Sequence, residues 1–261
     1  MGESASVASP PDAIEVQPTV AECRQDDVIP RGVDIIVTID GPAGTGKSTV
    51  AQALADRLAL DLLDTGAMYR AAAAILIERD LMAAVERGDA ARAVELVTDA
   101  DLHFDWTYDP PAIMAWFEPI NERIRTPDVT AAVSAVARIP ELRRHMVRKQ
   151  RLIGQQHPRL VTEGRDQGSV VFPDALVKFY LEADLRVRAT RRAAQLREAG
   201  YEKGVDRLMA ELQARDEADR GRAEGPLVCP DDAIVVDTTA LEFDEVVARL
   251  ERDVLGRVGV A

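Results

Sequence analysis

Gly41-Pro42-Ala43-Gly44-Thr45-Gly46-Lys47-Ser48 matches the pattern G-x-x-x-x-G-K-S, in which a glycine-rich turn folds backbone N–H groups around phosphate oxygens. Upstream, Ile35-Ile36-Val37-Thr38-Ile39 is a run of β-branched residues that reads as a buried strand. Downstream, residues 49–58 (TVAQALADRL) have the period of an amphipathic helix. Strand, loop and helix in that order are what a phosphate cradle requires. The helix N-terminus adds partial positive charge, Lys47 can reach the β and γ phosphates, and the Ser48 hydroxyl can ligate Mg²⁺. The plainer alternative is a glycine turn that merely starts a helix. The expected ligand is a nucleoside triphosphate.

Further β-like runs recur between helix-patterned stretches, at residues 61–63, 159–162, 175–181 and 233–236. Strands alternating with helices predict an α/β fold with a five-stranded parallel sheet, helices on both faces, and ligands at the carboxyl ends of the strands. Two stretches interrupt the alternation. Residues 80 to about 126 contain a helical piece at 90–97, with Asp89 as the expected N-cap, and then Trp106, Tyr108, Trp116 and Phe117 among prolines. These aromatics are expected to form a small satellite core of an inserted subdomain. Residues 201–226 are rich in charge and read as a mobile lid.

At 261 residues the chain fits one large domain. Residues 1–31, proline-bearing and without a sustained period, read as a disordered leader, residues 32–255 as the domain, and residues 256–261 as a tail. Lysine plus arginine total 32 against 45 for aspartate plus glutamate, and the net charge of −13 argues against a general nucleic-acid or membrane-surface binder. An anion site must then be local. Cys23 and Cys229 form no CxxC pair, and His103, His145 and His157 have no ligand-like spacing, which suits a reduced, cytoplasmic protein without structural zinc. No apolar run approaches the length of a membrane span, and the N-terminus lacks the features of an export signal.

Asp64-Thr65-Gly66-Ala67-Met68-Tyr69-Arg70 opens a helix after the second strand and offers a second anion site, with a surface ion pair at Arg70 as the alternative. Arg125 precedes Thr126-Pro127, a good N-cap and first helical residue. Glu163-Gly164-Arg165-Asp166-Gln167-Gly168-Ser169 follows the third strand, where a doubly wound sheet places its active site. Arg215, Asp219 and Arg222 are spaced by four and three residues, one face of a helix if the helix extends that far.

Taken together, IDGPAGTGKST, LLDTGAMYR, IRTPDVTAAVSAVARIPELR, EGRDQGSVVFPDA and RDEADRGR resemble the bacterial cytidylate kinases, in that order and over about residues 33–255. The resemblance implies a P-loop kinase with an NMP-binding insertion and an arginine-rich lid, a monomer that transfers the γ-phosphoryl of ATP to CMP or dCMP with Mg²⁺. It implies that the loop from Gly41 to Ser48, with Thr49, holds the ATP phosphates, and that Ser48 is the metal ligand. Arg188, Arg191 and Arg192 would serve the donor side. Arg70, Arg165 and Arg222 would surround the CMP phosphate with Thr65 and Tyr69 nearby. Arg215 and Asp219 would meet the ribose or phosphate, and Lys47, Arg165 and Arg222 would carry the catalytic charge.

Cytosine offers an amino donor at N4 and acceptors at N3 and O2, so a carboxylate plus an arginine is complementary to it. The resemblance assigns Asp166 and Arg125 to those roles and predicts CMP over UMP. The chain departs from the family pattern at Asn121, where a small hydroxyl residue commonly touches the base, and at Gln167 and Ala218. These departures keep open a kinase of the same fold with another small acceptor, such as a different nucleotide or shikimate. A non-catalytic nucleotide-binding module is the rival from another class.

Overall fold

The computed structural model describes residues 29–260. Most of the expected leader, Cys23 included, lies outside the described residues. Ile29 is fully buried, so the packed chain reaches three residues further toward the N-terminus than the expected start at 32.

The strands expected from sequence pair as one parallel sheet in the order β2–β6–β1–β7–β8. β1 (Ile35–Asp40) is central, flanked by β6 (Arg159–Glu163) and β7 (Val177–Glu182), with β2 (Asp61–Asp64) and β8 (Ile234–Asp237) at the edges. The period of two sorts the side chains. Ile35, Val37 and Ile39 join Val50, Leu54 and Leu58 of α1 (Lys47–Leu58) and Val247, Leu250 and Val254 of α9 (Phe243–Val258) on one face. Ile36 and Leu160 meet the other face, covered by α2 (Thr65–Glu78), α5 (Pro127–Val136) and α6 (Pro140–Gln156). α9 runs three residues past the expected tail boundary before Gly259 ends it.

The insertion carries α3 (Met82–Glu86), α4 (Ala91–Asp99) and a second, antiparallel sheet of β3 (His103–Asp105), β4 (Ala112–Ala115) and β5 (Glu118–Pro119). Two expectations are corrected here. Asp89 does not cap α4: its N–H bonds to the Ala84 carbonyl as part of the turn ending α3, and Ala90 holds the cap position. Nor is there a satellite core, because Val97, Leu102, Phe104 and Ile113 belong to the same apolar cluster as α2 and α5. Trp106 stacks on His157 instead, with ring centroids 3.9 Å apart.

Thr126 and Pro127 start α5 as expected, although the Thr126 hydroxyl donates back to the Arg123 carbonyl rather than capping. α7 (Leu185–Glu198) packs against α8 (Val205–Arg220) around Ala43, Ala189, Ala193, Leu208 and Leu212. α8 therefore lies against the phosphate loop. It stops at Arg220, so Arg222 does not share its helical face with Arg215 and Asp219.

Candidate active site

β1 delivers the glycine-rich loop at its carboxyl end. A Cβ added at Gly41 would overlap the Leu181 carbonyl oxygen of β7, and φ there is +145°, so this position accepts only glycine. Beyond it the chain turns into α1 with Lys47 as the first helical residue. The Lys47 ammonium is buried. It donates to the Pro42 carbonyl at 2.6 Å and to Thr45 Oγ1 at 3.3 Å. Burial, with the Arg165 guanidinium close by, holds Lys47 well below the usual lysine range against the opposing pull of Glu163 and Asp40.

Two carboxylates end the strands beside the loop. Glu163 accepts the Ser48 hydroxyl at 2.8 Å, and burial reinforced by Asp64 pushes it up to about 7. Asp40 accepts the backbone N–H groups of Gln167 and Gly168 at 2.9 and 2.7 Å. Burial raises it to about 6 although both bonds oppose the shift. Asp40 thereby ties the end of β1 to the loop carrying Arg165 and Asp166.

One cavity of about 420 Å³ joins this phosphate end to the expected acceptor side. Nine cationic side chains line it (Lys47, Arg70, Arg125, Arg143, Arg165, Arg191, Arg192, Arg215 and Arg222) against the three carboxylates Glu163, Asp166 and Asp219. In a chain of net charge −13 this cavity concentrates positive charge, as a local anion site would require. A second cavity of about 410 Å³, beside Trp106 and Tyr108, has no such excess: Arg31 and Arg159 face Asp56, Asp61 and Asp109.

Asp219 organises three of the arginines. It accepts Arg165 Nε at 2.8 Å and pairs with Arg222. Burial acts to raise it, but Arg165, Arg222 and Arg215 together hold it below the usual carboxylate range. Arg215 remains over-supplied with positive neighbours. Burial and Arg165 push it down to about 10, and its Nε is buried without a partner, as is that of Arg222. Arg70 and Arg125 have no ion-pair or hydrogen-bond partner among the described residues. Unmet buried donors beside unpaired guanidinium groups fit anionic ligands, since an unmade bond to a charged group is costly.

Thr65, Tyr69, Arg70, Arg125, Arg165, Asp166, Arg215, Asp219 and Arg222 line this cavity with Ala43, Gly44, Gly46, Lys47, Ser48 and Thr49. Two other expected site residues are committed elsewhere. Asn121 Oδ1 accepts the Ile113 N–H at 2.8 Å, bracing β4, and Asn121 does not line the cavity. Arg188 donates to the Ala183 and Ala43 carbonyls and to Asp216 at 3.0, 2.8 and 2.6 Å, which makes it a tie between α7, α8 and the loop. Its neighbour Arg191 lines the cavity but donates to Thr238.

Three residues escaped the sequence reading as site components. Asp40 carries a legible signal: it is a carboxylate ending an otherwise uncharged buried strand. Arg143 stands in the buried stripe of α6 with Met146, Gln150 and Ile153, an arginine at an apolar position. It meets Asp166 at 2.5 Å and lies over the Tyr69 ring at 5.2 Å. Gly225, packed against that pair, carries no signal beyond its residue type.

The comparisons agree with this geometry. The cytidylate kinase family model matches residues 37–254. Cytidylate kinase of Aeromonas salmonicida is 41% identical over 213 residues, 82% of this chain and 90% of that protein. The cytidylate kinases of Enterobacter sp. and Escherichia coli O1:K1 / APEC are 40% and 41% identical over 214 residues, each covering 82% of this chain and 92% of theirs. With the matched span enclosing the phosphate loop, the arginine cluster and the Asp166 loop, this chain belongs to the cytidylate kinase family.

Proposed function

We propose that the protein transfers the γ-phosphoryl group of ATP to CMP or dCMP, giving ADP and CDP or dCDP. The observation carrying this reading is the single cavity in which the phosphate loop, nine cations and the Asp166 carboxylate meet. Phosphoryl transfer asks little covalent work of a protein; it needs two anions held in line and their oxygens neutralised. Lys47 and the backbone N–H groups of the loop hold the donor phosphates, which also restores to Lys47 the negative partner it lacks. Arg70, Arg165 and Arg222 hold the acceptor phosphate, and Arg215 spreads positive charge across the transferring group. Arg192 takes the donor side.

The Ser48 hydroxyl, with the Glu163 carboxylate 2.8 Å away, is a hard-oxygen pair of the kind that suits Mg²⁺. When bound, the metal would neutralise phosphate charge. Among the described residues no group of three or more His, Cys, Asp and Glu forms a metal cage, in keeping with an ion held largely by substrate oxygens.

Asp166 accepts the cytosine N4 amino group and Arg125 donates to the ring acceptors. Uracil would set its O4 acceptor against a carboxylate, so CMP is preferred. We further take the protein to act as a cytoplasmic monomer without nucleic-acid or membrane partners. Among the described residues no helix is long and apolar enough to cross a membrane. The test is ADP formation from MgATP with CMP, dCMP, UMP, AMP or shikimate, each corrected for the rate without acceptor. CMP-dependent turnover with weak UMP is expected; equal rates with CMP and UMP would remove the base assignment, and no acceptor-dependent rate would remove the kinase reading.

A further inference from the structure

Residues Gln167–Val171 form a short π-helical turn, and Asp166 holds its capping position. An aspartate there ordinarily turns its carboxylate onto the first free N–H groups of the turn. Asp166 makes no such bond; it lines the cavity, with Oδ2 paired to Arg143. The N–H groups it leaves are taken by Asp40, the buried last residue of β1, which accepts Gln167 on Oδ1 at 2.9 Å and Gly168 on Oδ2 at 2.7 Å. The N–H groups of Val170 and Val171 reach the Asp166 carbonyl at 2.9 and 3.1 Å. Asp40 itself does not line the cavity. Its mount is rigid, because β1 is the central strand and the neighbouring Gly41 packs on the Leu181 carbonyl.

We propose that Asp40 is a positioning residue for the acceptor: it caps the turn in place of Asp166 and so keeps the Asp166 carboxylate turned into the cleft. The inference rests on the acceptor reading above and adds to it a group that touches no substrate. Two unmet buried N–H groups beside a carboxylate would draw it onto themselves, because a charge-assisted bond to an amide is strong and a buried donor left unpaired is costly. Asp40 removes that competition. It does so when ionised, since a protonated carboxyl keeps one good acceptor and turns a hydrogen toward the other N–H. Burial raises Asp40 to about 6, against its two N–H bonds; Asp166 adds to the rise and Lys47 opposes it. Those two and the Cys229 thiol are the charged or titratable groups that act on it or feel it. The hold is therefore present above that value and lost as pH falls through it.

The alternative is that Asp40 only stitches β1 to the neighbouring loop, which would change the fraction of active protein but not the balance between the two substrates. Asp40→Asn keeps the shape of the side chain and offers one acceptor oxygen instead of two. It is expected to raise the KM for CMP about tenfold or more, with the KM for MgATP within about threefold of the natural protein. An unchanged KM for CMP, or equal rises in both, overturns the proposal. A second measurement needs neither the variant nor an acceptor. The amide-proton resonances of Gln167 and Gly168 in the ligand-free natural protein are expected to shift together, with one midpoint at about pH 6. Resonances that stay flat between about pH 4 and 8 overturn the proposal on their own. If the two amides titrate together while neither CMP nor dCMP is phosphorylated, the acceptor reading falls and the hold of Asp40 on the turn stands.

Discussion

The two halves of the cleft are built by different means. The donor-phosphate half is built on backbone: a loop at the end of β1 and the start of α1, with the start of α2 beside it, all within about thirty residues of each other. The half proposed to hold the base is made of side chains brought from far apart, with Asp166 after β6, Arg143 from α6 and Arg125 before α5. A backbone site needs glycines at fixed offsets and is written in consecutive letters. A side-chain site needs only that distant segments meet, so its members carry no common signature.

The largest effect expected along this divide is at Lys47. Lys47→Ala should lower kcat by about a thousandfold or more, because Lys47 is the cation held inside the loop itself, against the Pro42 carbonyl. CMP binding to the free enzyme, measured by calorimetry, should stay within a few-fold. A matching collapse of CMP affinity would show that the halves are one unit.

Arg222→Ala comes next. It should reduce kcat on the order of a hundredfold while MgATP affinity changes little, since Arg222 pairs with Asp219 beyond the end of α8 and does not touch the phosphate loop. An equal fall in turnover and ATP affinity would move Arg222 to the donor half.

A smaller, sharper contrast lies in pH. Folded Glu163 and Asp40 sit near 7 and 6, above their ordinary values of 4.5 and 3.8, so each binds its proton more tightly folded than unfolded. Their contribution to stability is complete below about pH 4 and is lost as pH rises through about 6 to 7. Melting temperature of the ligand-free protein should therefore fall less steeply between pH 5 and 7, by about a few degrees, in Glu163→Gln than in the natural protein. Parallel curves would show that Glu163 is already ionised at pH 5.

The smallest effect is expected at Asn121. Asn121→Ala should leave the KM for CMP within about twofold and cost roughly 1 kcal/mol in urea unfolding, the loss of one bond to the Ile113 N–H. A large rise in KM would return Asn121 to the base half.

The same divide governs what the sequence could disclose. Five strands, their parallel pairing and the phosphate loop followed from short-range pattern, because buried β-branched runs and glycine turns are local. The arginines were visible as residues but not as partners: Arg188 looked equivalent to Arg192, and only the folded chain shows Arg188 spent on Ala43 and Asp216. The bond from the Ile113 N–H to Asn121 was hidden for a similar reason, since a residue that braces a hairpin and one that touches a ligand have the same spacing. Arg143 was detectable as an arginine in an apolar stripe, whereas the packing of Gly225 on Asp166 depends on contacts across some sixty residues of chain.

The clamp on Ala43 has a mechanical consequence. Its N–H is taken by Asp216 Oδ1 at 2.9 Å and its carbonyl by Arg188, while Arg188 and Asp216 hold each other at 2.6 Å, all of them buried. To lift the middle of α8 would strip a backbone amide, a guanidinium and a carboxylate of their partners at once. Asp216 thus fastens α8 to the phosphate loop, so that at Ala43 the helix and the loop are held as one body.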